Sequence, residues 1–420
     1  MEKTPKSMRL QIGIFGRTNV GKSSFLNMVA GQDVAITSPV PGTTTDVVEK
    51  VMELLPVGPV VFLDTGGLDD DSTLGSRRVE RTRKIFDRSD VSILILDADR
   101  WTEFEEEVVR EAQARKSPLI LVVNKSDLTP PSAVFLEKIK QKTSRILVCS
   151  STDRARRDEY VNLLKQFLLE VCPEDFLMAP AMLGDLMPKG GLAILIIPID
   201  FEAPKGRIIL PQVQAIRDAL DHDSMTLVVK ESEYKDALQK LKTPPDLVVC
   251  DSQVVDRMVA ETPPGVRCTT FSILLSRIKG DIAEMTKGAL AVESLKEGDK
   301  ILISESCSHH AIEGDIGRIK IPKWIQKYLG CEIKIGVCAG RDFPDDLKDY
   351  KLIIQCGSCM LTRRETLARI QKAKQAGVPI TNYGLCISYL QGVLERVIEP
   401  FPDALKAFQE NKINIKEILR

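Results

Sequence analysis

The sequence predicts an α/β protein of three domains with mainly parallel sheets. The chain has 420 residues, more than one hydrophobic core usually serves, because cores stop growing near roughly 250 to 300 residues. Short apolar segments alternate with helix-like segments along the chain, which is typical of parallel sheets covered by helices. The first apolar segment, Leu10 to Phe15, leads directly into a glycine-rich loop.

That loop predicts a site for nucleotide phosphates. It matches the pattern G-x-x-x-x-G-K-S/T between a strand and a helix, and the predicted phosphate-binding residues are Gly16, Arg17, Thr18, Asn19, Val20, Gly21, Lys22, Ser23 and Ser24. Glycines let backbone N–H groups turn towards phosphate oxygens, and the lysine reaches the β- and γ-phosphates. The hydroxyl of Ser23 is a predicted Mg²⁺ ligand. A chance match is a poor explanation for so constrained a pattern.

A second apolar segment, Val60 to Leu63, ends in the sequence Asp64-Thr-Gly-Gly67. This arrangement is suited to placing Asp64 in the Mg²⁺ shell and the N–H of Gly67 at the γ-phosphate. The phosphate loop and these two residues together predict a P-loop nucleotide hydrolase.

The nucleotide base is predicted from a third strand end. Asn124, Lys125 and Asp127 form the N-K-x-D sequence that is typical of guanine-specific proteins. The carboxylate of Asp127 is expected to accept from the N1–H and the exocyclic amine of guanine, a pair of donors that adenine lacks. Ser150 or Ser151, after a fourth strand, is predicted beside the base. The predicted nucleotide is therefore GTP, and the predicted first domain is a P-loop GTPase.

The remaining chain predicts two smaller α/β domains. The GTPase domain is expected over residues 8–173, and apolar strands follow at 192–199, 225–230 and 246–250. The middle domain, residues 180–265, has no convincing catalytic set. We therefore expect it to serve assembly as a dimerisation domain, and we expect a third domain at residues 270–420.

Cysteine groups follow two predicted strands of the third domain. Cys307 follows Ile301 to Ser304, and Cys356 and Cys359 follow the strand after Asp349. Parallel strands end at one edge of a sheet, where open α/β folds place ligands, so the three thiols are expected to converge. C-x-x-C motifs serve zinc, iron–sulfur clusters and redox pairs alike. All three uses stay open at this point, including a zinc site of Cys₃His type.

The segment between the first two nucleotide motifs resembles the TrmE- and Der-like GTPases. Pro41-Gly-Thr-Thr-Thr-Asp46 is similar to their G-T-T-x-D element. The resemblance implies that Thr43 and Thr44 lie at the nucleotide and that Thr44 completes the Mg²⁺ shell. It also implies that Asn19 holds K⁺ in place of an arginine finger, so K⁺-stimulated hydrolysis is expected. The predicted catalytic residues are Lys22, Asn19 and Thr44.

Leu68 follows Asp64-Thr-Gly-Gly67, at the position where Ras-like proteins carry a glutamine that orients water. Hydrolysis cannot use that glutamine here. A hydrophobic residue at this position goes with slow hydrolysis or with help from elsewhere.

The whole chain resembles the [FeFe]-hydrogenase maturation GTPases. The shared features are the order of three domains, the segment Ala203-Pro-Lys-Gly-Arg207 and the C-x-H and C-x-x-C groups. The resemblance implies that Cys307, Cys356 and Cys359 hold a [4Fe-4S] cluster and that His309 matches the histidine of C-x-H. It further implies a scaffold that receives a diiron precursor made by two radical-SAM maturases and delivers it to apo-[FeFe]-hydrogenase.

The fourth ligand of such a cluster stays open. Gln355 stands where many members of that family have a histidine before C-x-x-C. The candidates are His309, His310, Asp315 or an exchangeable group. Asp315 has the alternative role of a helix cap.

Composition narrows the function classes. The formal net charge is −1, which does not favour binding to nucleic acid. The longest aliphatic run is far shorter than a membrane span, and no apolar signal segment opens the chain, so a cytoplasmic protein with ten cysteine thiols and no membrane partner is expected. One alternative is a TrmE- or Der-like GTPase in RNA modification or ribosome assembly with a C-terminal zinc site. Another is a GTP-regulated thiol oxidoreductase.

Overall fold

The computed structural model describes residues 5–31, 48–64, 84–173, 176, 180–199, 208–307, 315–340 and 342–418. The chain divides into two compact units, residues 1–179 and 180–420. Over the described residues, no helix is both long and apolar enough to cross a membrane.

The first unit is built on one six-stranded sheet. Its strands are β1 (Leu10–Phe15), β2 (Val48–Leu54), β3 (Gly58–Asp64), β4 (Val91–Asp97), β5 (Leu119–Asn124) and β6 (Ile146–Val148). They lie in the order β2-β3-β1-β4-β5-β6. Only β2 runs antiparallel to its neighbour, and the other pairs are parallel. The longer helices of this unit, within the described residues, are Lys22–Ala30, Glu103–Ala114, Ala133–Lys140 and Arg157–Val171.

Both faces of this sheet are covered, because alternate side chains of each strand enter different apolar clusters. On β3, Val60 and Phe62 pack with the first and last of the four helices, whereas Val61 and Leu63 pack with the second and third. Successive strand side chains point to opposite faces, so a sheet covered on both faces needs apolar residues at consecutive positions. This explains the uninterrupted burial of β1.

The second unit contains two four-stranded sheets in which every pair is parallel. The first has the order β10-β9-β7-β8, and the second the order β12-β11-β13-β14. The strands are β7 (Leu192–Ile196), β8 (Met225–Val229), β9 (Leu247–Cys250), β10 (Arg267–Thr270), β11 (Lys300–Ser304), β12 (Lys334–Cys338), β13 (Leu352–Gln355) and β14 (Ile380–Asn382).

Helices lie between most successive strands of this unit, as parallel pairing requires, and the last three follow β14. Within the described residues they are Leu210–Asp221, Tyr234–Lys240, Val255–Glu261, Phe271–Lys279, Ile282–Leu290, Ile321–Leu329, Arg363–Ala376, Tyr383–Leu390, Leu394–Ile398 and Pro402–Ile418. One apolar cluster runs through both sheets, from Met182 to Phe408. The α/β fold class with mainly parallel sheets is confirmed, and the last two sheets lie within one compact unit. Strand β10 lies beyond residue 265, the predicted end of the middle domain.

Candidate functional site

The glycine-rich loop leads from β1 into the helix Lys22–Ala30. Gly21 precedes the helix with a φ of 90°, in the left-handed region that favours glycine. A Cβ atom at Gly21 would lie 2.3 Å from Nδ2 of Asn124. Glycine therefore lets the loop pass close to Asn124. The first N–H groups of the helix follow directly, and helix starts of this kind bind anions.

Lys22 lies across the loop. Its ammonium group donates hydrogen bonds to the carbonyl oxygens of Gly16, at 3.0 Å, and Arg17, at 2.9 Å. Ser23 and Ser24 are exposed at the start of the helix. The loop thus brings a lysine ammonium, two hydroxyls and the helix N–H groups together, as the sequence predicts for a phosphate site.

An ion pair that the sequence analysis missed anchors the loop. Nε of Arg17 donates to Oε1 of Glu105 at 2.6 Å, and Glu105 is fully buried. The other carboxylate oxygen of Glu105 accepts from the backbone N–H of Thr102 at 2.7 Å and from its hydroxyl at 2.6 Å. The T-x-x-E spacing of Thr102 and Glu105 signals a helix start, but nothing in it points to Arg17, which lies 88 residues away.

Asp64 ends β3 on the same edge of the sheet as the loop. Its Cα pairs with that of Ile14 in the neighbouring β1, and the residue is 3% exposed. This is the position that the sequence predicts for a residue near Mg²⁺. Thr43, Thr44, Gly67 and Leu68 lie outside the described residues.

The N-K-x-D segment contacts the glycine-rich loop through its asparagine. Nδ2 of Asn124 donates to the carbonyl oxygen of Val20 at 2.9 Å. Oδ1 of Asn124 accepts from the backbone N–H of Ser151 at 3.0 Å and from its hydroxyl at 2.8 Å. Asn124 therefore joins the loop, the end of β5 and the segment after β6.

The neighbouring residues complete this arrangement. The ammonium group of Lys125 donates to the carbonyl oxygen of Asn19 and forms an ion pair with Asp97 at 3.3 Å. Asp127 is exposed, so its carboxylate is accessible to a base. Ser150 is buried and its hydroxyl lies 3.0 Å from that of Thr152. Of the two serines that the sequence offers, Ser151 is the one that contacts Asn124.

The cysteine groups lie at one sheet edge of the second unit. Parallel pairing sets Ser304 of β11 opposite Gln355 of β13, and the N–H of Cys356 donates to the carbonyl oxygen of Ser304 at 2.9 Å. The sulfur of Cys356 lies 3.1 Å from both the backbone nitrogen and the hydroxyl of Ser306, the residue before Cys307. The predicted meeting of the two strand ends is confirmed.

The thiols at this edge influence one another. Burial, with smaller contributions from negative charge on Cys356 and Cys359, raises the pKa of Cys307 to about 12. Burial also raises the pKa of Cys359, again with a contribution from Cys356. Cys338, at the end of β12, is half-buried, and its pKa is raised by burial and by the charge of Cys356. The thiols therefore do not ionise together unless a cation compensates their charge.

A metal centre fits this donor set. Iron–sulfur clusters and zinc both bind thiolates and supply the missing positive charge. Among the residues that the structure describes, however, no three histidine, cysteine or carboxylate side chains converge as ligands of one ion. The backbone thus brings the cysteines to one edge, whereas the side chains are not arranged as a closed ion site.

Of the side chains that the sequence offers as a fourth ligand, Asp315 lies within the described residues. Asp315 is 1% exposed, and its Oδ1 accepts from the backbone N–H of Arg318 at 2.7 Å. Asp315 therefore caps the turn Ile316–Lys320, which was the alternative role. The amide of Gln355 donates to the hydroxyl of Ser358 within the cysteine loop. His309 and His310 lie outside the described residues.

Two buried basic side chains at this edge were missed by the sequence analysis. Lys279 is 6% exposed and Arg369 is 4% exposed. Burial lowers the pKa of Lys279 to about 8, while Cys359 raises it. Arg369 donates to the hydroxyl of Ser304 at 2.9 Å and to the carbonyl oxygen of Gly340 at 2.7 Å. No local sequence pattern identifies either residue, because each comes from a helix distant in sequence from its partners.

Three family models match the chain. The model of the 50S ribosome-binding GTPase matches residues 11–125, that of the hydrogen maturase F dimerization domain matches 182–280, and that of the hydrogen maturase F tetramerization domain matches 283–400. The two hydrogen maturase F models together cover more than half of the chain.

Similar curated proteins match the first unit. The tRNA modification GTPase MnmE of Synechococcus sp. (strain JA-3-3Ab) is 43% identical over 129 residues, which are 30% of this chain and 28% of that protein. GTPase Der of Persephonella marina is 34% identical over 146 residues, which are 34% of this chain and 32% of that protein. The chain therefore spans less than a third of the length of both relatives.

Solved structures with detectable similarity include Aquifex aeolicus Era, with 23% identity, a TM-score of 0.31 and coverage of 52% of this chain and 93% of that one. The G domain of the T. maritima FeoB iron transporter has 19% identity, a TM-score of 0.31 and coverage of 39% and 99%. The family of the chain is therefore assigned from the family models, which match successive segments of it. The chain belongs to the hydrogen maturase F family and consists of a GTPase domain followed by that family's dimerization and tetramerization domains.

Proposed function

We propose that this GTPase is a scaffold that binds a [4Fe-4S] cluster, receives a diiron precursor and delivers it to apo-[FeFe]-hydrogenase. Cys307, Cys356 and Cys359 are the proposed cluster ligands, and His309 is a proposed fourth contact. Two radical-SAM maturases are the proposed source of the precursor, which is cargo rather than a resident cofactor.

The observation that carries this proposal is the pairing of β11 with β13. It brings Cys307 and the Cys356–Cys359 loop to one sheet edge, although Cys356 lies 49 positions after Cys307 in the sequence. Half-buried thiols that raise one another's pKa favour a bound cation. A cluster held by three cysteines retains an exchangeable position, which suits a scaffold.

GTP is the proposed substrate of the first unit. The loop from Gly16 to Ser24 would surround the phosphates, with Lys22 directed at them. Asn124, Lys125, Asp127 and a serine, Ser150 or Ser151, would hold guanine. Mg²⁺ would be held by Ser23, Thr44 and Asp64, and it supplies charge stabilisation to the transferring phosphoryl group.

Stimulation by K⁺ is a finer part of the proposal. Asn19 is exposed in the loop with a φ of 63°, and its carbonyl oxygen accepts from Lys125. The exposed amide of Asn19 is therefore accessible to an ion beside the phosphates. Leu68 cannot orient water as a glutamine does, so charge compensation by K⁺ would assist hydrolysis.

We further propose a homodimer formed through the dimerization domain. Strand β8 is the edge of its sheet, and its apolar side chains Met225 and Val228 are 57% and 46% exposed. An exposed apolar edge is a template for strand pairing, and a second copy would cover it. The nucleotide state would then bias partner binding through switch segments ordered by phosphate and Mg²⁺. A cytoplasmic location is part of this proposal, and neither a membrane nor nucleic acid is a proposed partner.

The test is anaerobic reconstitution of the full chain with iron and sulfide, followed by metal analysis and by GTPase assays with and without Mg²⁺. A cluster spectrum together with GTP turnover supports the proposal. Stoichiometric zinc without a cluster would instead favour a GTPase in RNA modification or ribosome assembly.

A further inference from the structure

Lys279 is the last residue of the helix Phe271–Lys279, and its side chain is directed into the loop that carries two of the cysteines. Its ammonium group donates to the carbonyl oxygens of Ser358 and Cys359, both at 3.1 Å, and of Leu361, at 2.8 Å. An ammonium group has three N–H donors. The three acceptors therefore match its full donor capacity, and all of them belong to one loop.

The loop has a backbone that needs such support. Ser358, between the two cysteines, has a φ of 57°, a left-handed conformation that is uncommon for serine. Its carbonyl oxygen and those of Cys359 and Leu361 are turned towards Lys279. Carbonyl groups directed inward in this way need buried donors, because a buried carbonyl oxygen without a donor destabilises the fold.

A second contact joins the same two segments. Arg363, at the start of the helix after the loop, donates from one guanidinium nitrogen to the carbonyl oxygen of Ile278 at 2.9 Å. The end of the helix Phe271–Lys279 thus binds the cysteine loop. The start of the helix Arg363–Ala376, which follows that loop, binds the end of the helix Phe271–Lys279. Gly357 also packs here, since a Cβ at this position would lie 3.2 Å from Cδ1 of Leu275.

We propose that Lys279 is a positioning residue for Cys356 and Cys359. It holds their loop in one conformation before metal arrives and places one positive charge beside the bound cluster. The second part rests on the proposed cluster function, whereas the first concerns the metal-free chain. Lys279 lies in the dimerization domain and the cysteines lie in the tetramerization domain, so the lysine joins the two domains at the cysteine loop.

The two parts predict different consequences of removing the charge. Without the ammonium group, the carbonyls of Cys359 and Leu361 lose the donor that Lys279 supplies, and that of Ser358 keeps only the N–H of Leu361. The loop therefore opens more often and its amides exchange faster. A nearby positive charge favours the more negative, reduced form of a cluster. Its removal therefore shifts the midpoint potential to more negative values.

The experiment compares the full-length protein with Lys279→Met, which retains the length of the side chain, and Lys279→Arg, which retains its charge. Lys287→Met is the matched control, because Lys287 is on the next helix with its side chain 48% exposed. Amide hydrogen exchange of residues 356–361 is measured in the metal-free proteins. Midpoint potentials are measured by EPR-monitored titration after reconstitution.

We expect exchange about tenfold faster or more in Lys279→Met, which corresponds to about 1.4 kcal/mol, and a more negative potential. Lys279→Arg should restore the potential, and Lys287→Met should match the wild type in both measurements. Unchanged exchange and unchanged potential in Lys279→Met would overturn the proposal. If Lys279→Met does not fold, the midpoint potential of Lys279→Arg decides the charge role. A potential equal to that of the wild type supports this role. A clearly more negative potential contradicts it, because arginine retains the positive charge.

A wild-type chain that takes up no cluster would refute the proposed function and leave the exchange comparison to decide the role of Lys279 in the loop. The two failures are therefore distinguishable.

Discussion

The amide nitrogen of Asn124 lies 2.9 Å from the carbonyl oxygen of Val20 and donates a hydrogen bond to it. This contact joins the segment that is predicted to bind guanine to the loop that is predicted to bind phosphates. Because Oδ1 of Asn124 also accepts from Ser151, one side chain sets the spacing between three segments of the nucleotide site. Base and phosphate recognition are therefore expected to depend on each other.

The close approach of Gly21 to Asn124 predicts that Gly21→Ala impairs both stability and GTP binding. The new Cβ would lie 2.3 Å from Nδ2 of Asn124. The alanine would also have to adopt the φ of 90° that Gly21 has. Gly58→Ala is the matched control, since Gly58 also has a positive φ, of 109°, but nothing within 4 Å of its Cβ position. Urea unfolding and GTP titration should show a loss of about 1 kcal/mol with normal binding for Gly58→Ala. Gly21→Ala should lose more stability and bind GTP more weakly, and equal behaviour of the two variants would contradict the close contact.

Guanine specificity should depend on Asp127. Asp127→Asn replaces an acceptor with an amide that can donate, so it suits xanthine, which has a carbonyl where guanine has its amine. We expect GTP affinity to fall at least about tenfold, because one hydrogen bond to a charged group is worth about 1.5 to 3 kcal/mol. Competition binding with GTP and xanthosine triphosphate measures the change. Since Asp127 is exposed, circular dichroism should remain that of the wild type, and unaltered GTP preference would show that the base binds elsewhere.

Potassium should accelerate GTP hydrolysis, and Asn19→Ala should remove the acceleration. The comparison uses phosphate release in K⁺ and Na⁺ buffers at matched ionic strength. Asn19→Ala should turn over GTP at the Na⁺ rate in both buffers, because the amide oxygen proposed to hold the ion is missing. Equal wild-type rates in the two buffers would reject the proposed role of K⁺. They would not bear on the proposal that the chain binds GTP.

Buried thiols predict that the protein loses stability in alkali. Burial raises the pKa of Cys149 and of Cys386 to about 12 from an ordinary value of 9.0. Between these values the unfolded chain has released the proton that the folded chain retains, so the free energy of unfolding falls as pH rises. The fall is about 1.4 kcal/mol per pH unit for each thiol, and the contribution is intact below about pH 9.

Urea unfolding from pH 7 to pH 10 tests this dependence. Cys386→Ala should be less stable than the wild type at pH 7, because a small cavity replaces the thiol, and its stability should fall less steeply above pH 9. A Cys386→Ala variant with the wild-type slope would show that this thiol does not titrate on unfolding.

The sequence predicted those parts of the molecule that depend on local patterns. Apolar strands buried on both faces gave the three mainly parallel sheets, and the fixed spacing of the P-loop placed Lys22 at the start of a helix. The expected parallel topology also predicted that the cysteine groups lie at one sheet edge, because neighbouring parallel strands end together. Strands β11 and β13 are such neighbours.

Contacts between distant segments could not be predicted in this way. The bonds from Lys279 to the cysteine loop span about 80 residues, and the bond from Arg17 to Glu105 spans 88. Both depend on which helix packs beside which loop, and that is decided by the tertiary fold. The shared core of the last two sheets also depends on contacts between distant segments, because it joins apolar residues from Met182 to Phe408.

Cys307, Cys356 and Cys359 are proposed to hold an iron–sulfur cluster. EPR spectra and iron content are compared between the reduced, anaerobically reconstituted wild type and Cys307→Ala, with Cys331→Ala as the control for a half-buried cysteine outside the set. We predict roughly four irons per chain and a cluster signal in the wild type and Cys331→Ala, with both lost in Cys307→Ala. A full signal in Cys307→Ala, or zinc and no cluster in the wild type, would contradict the claim.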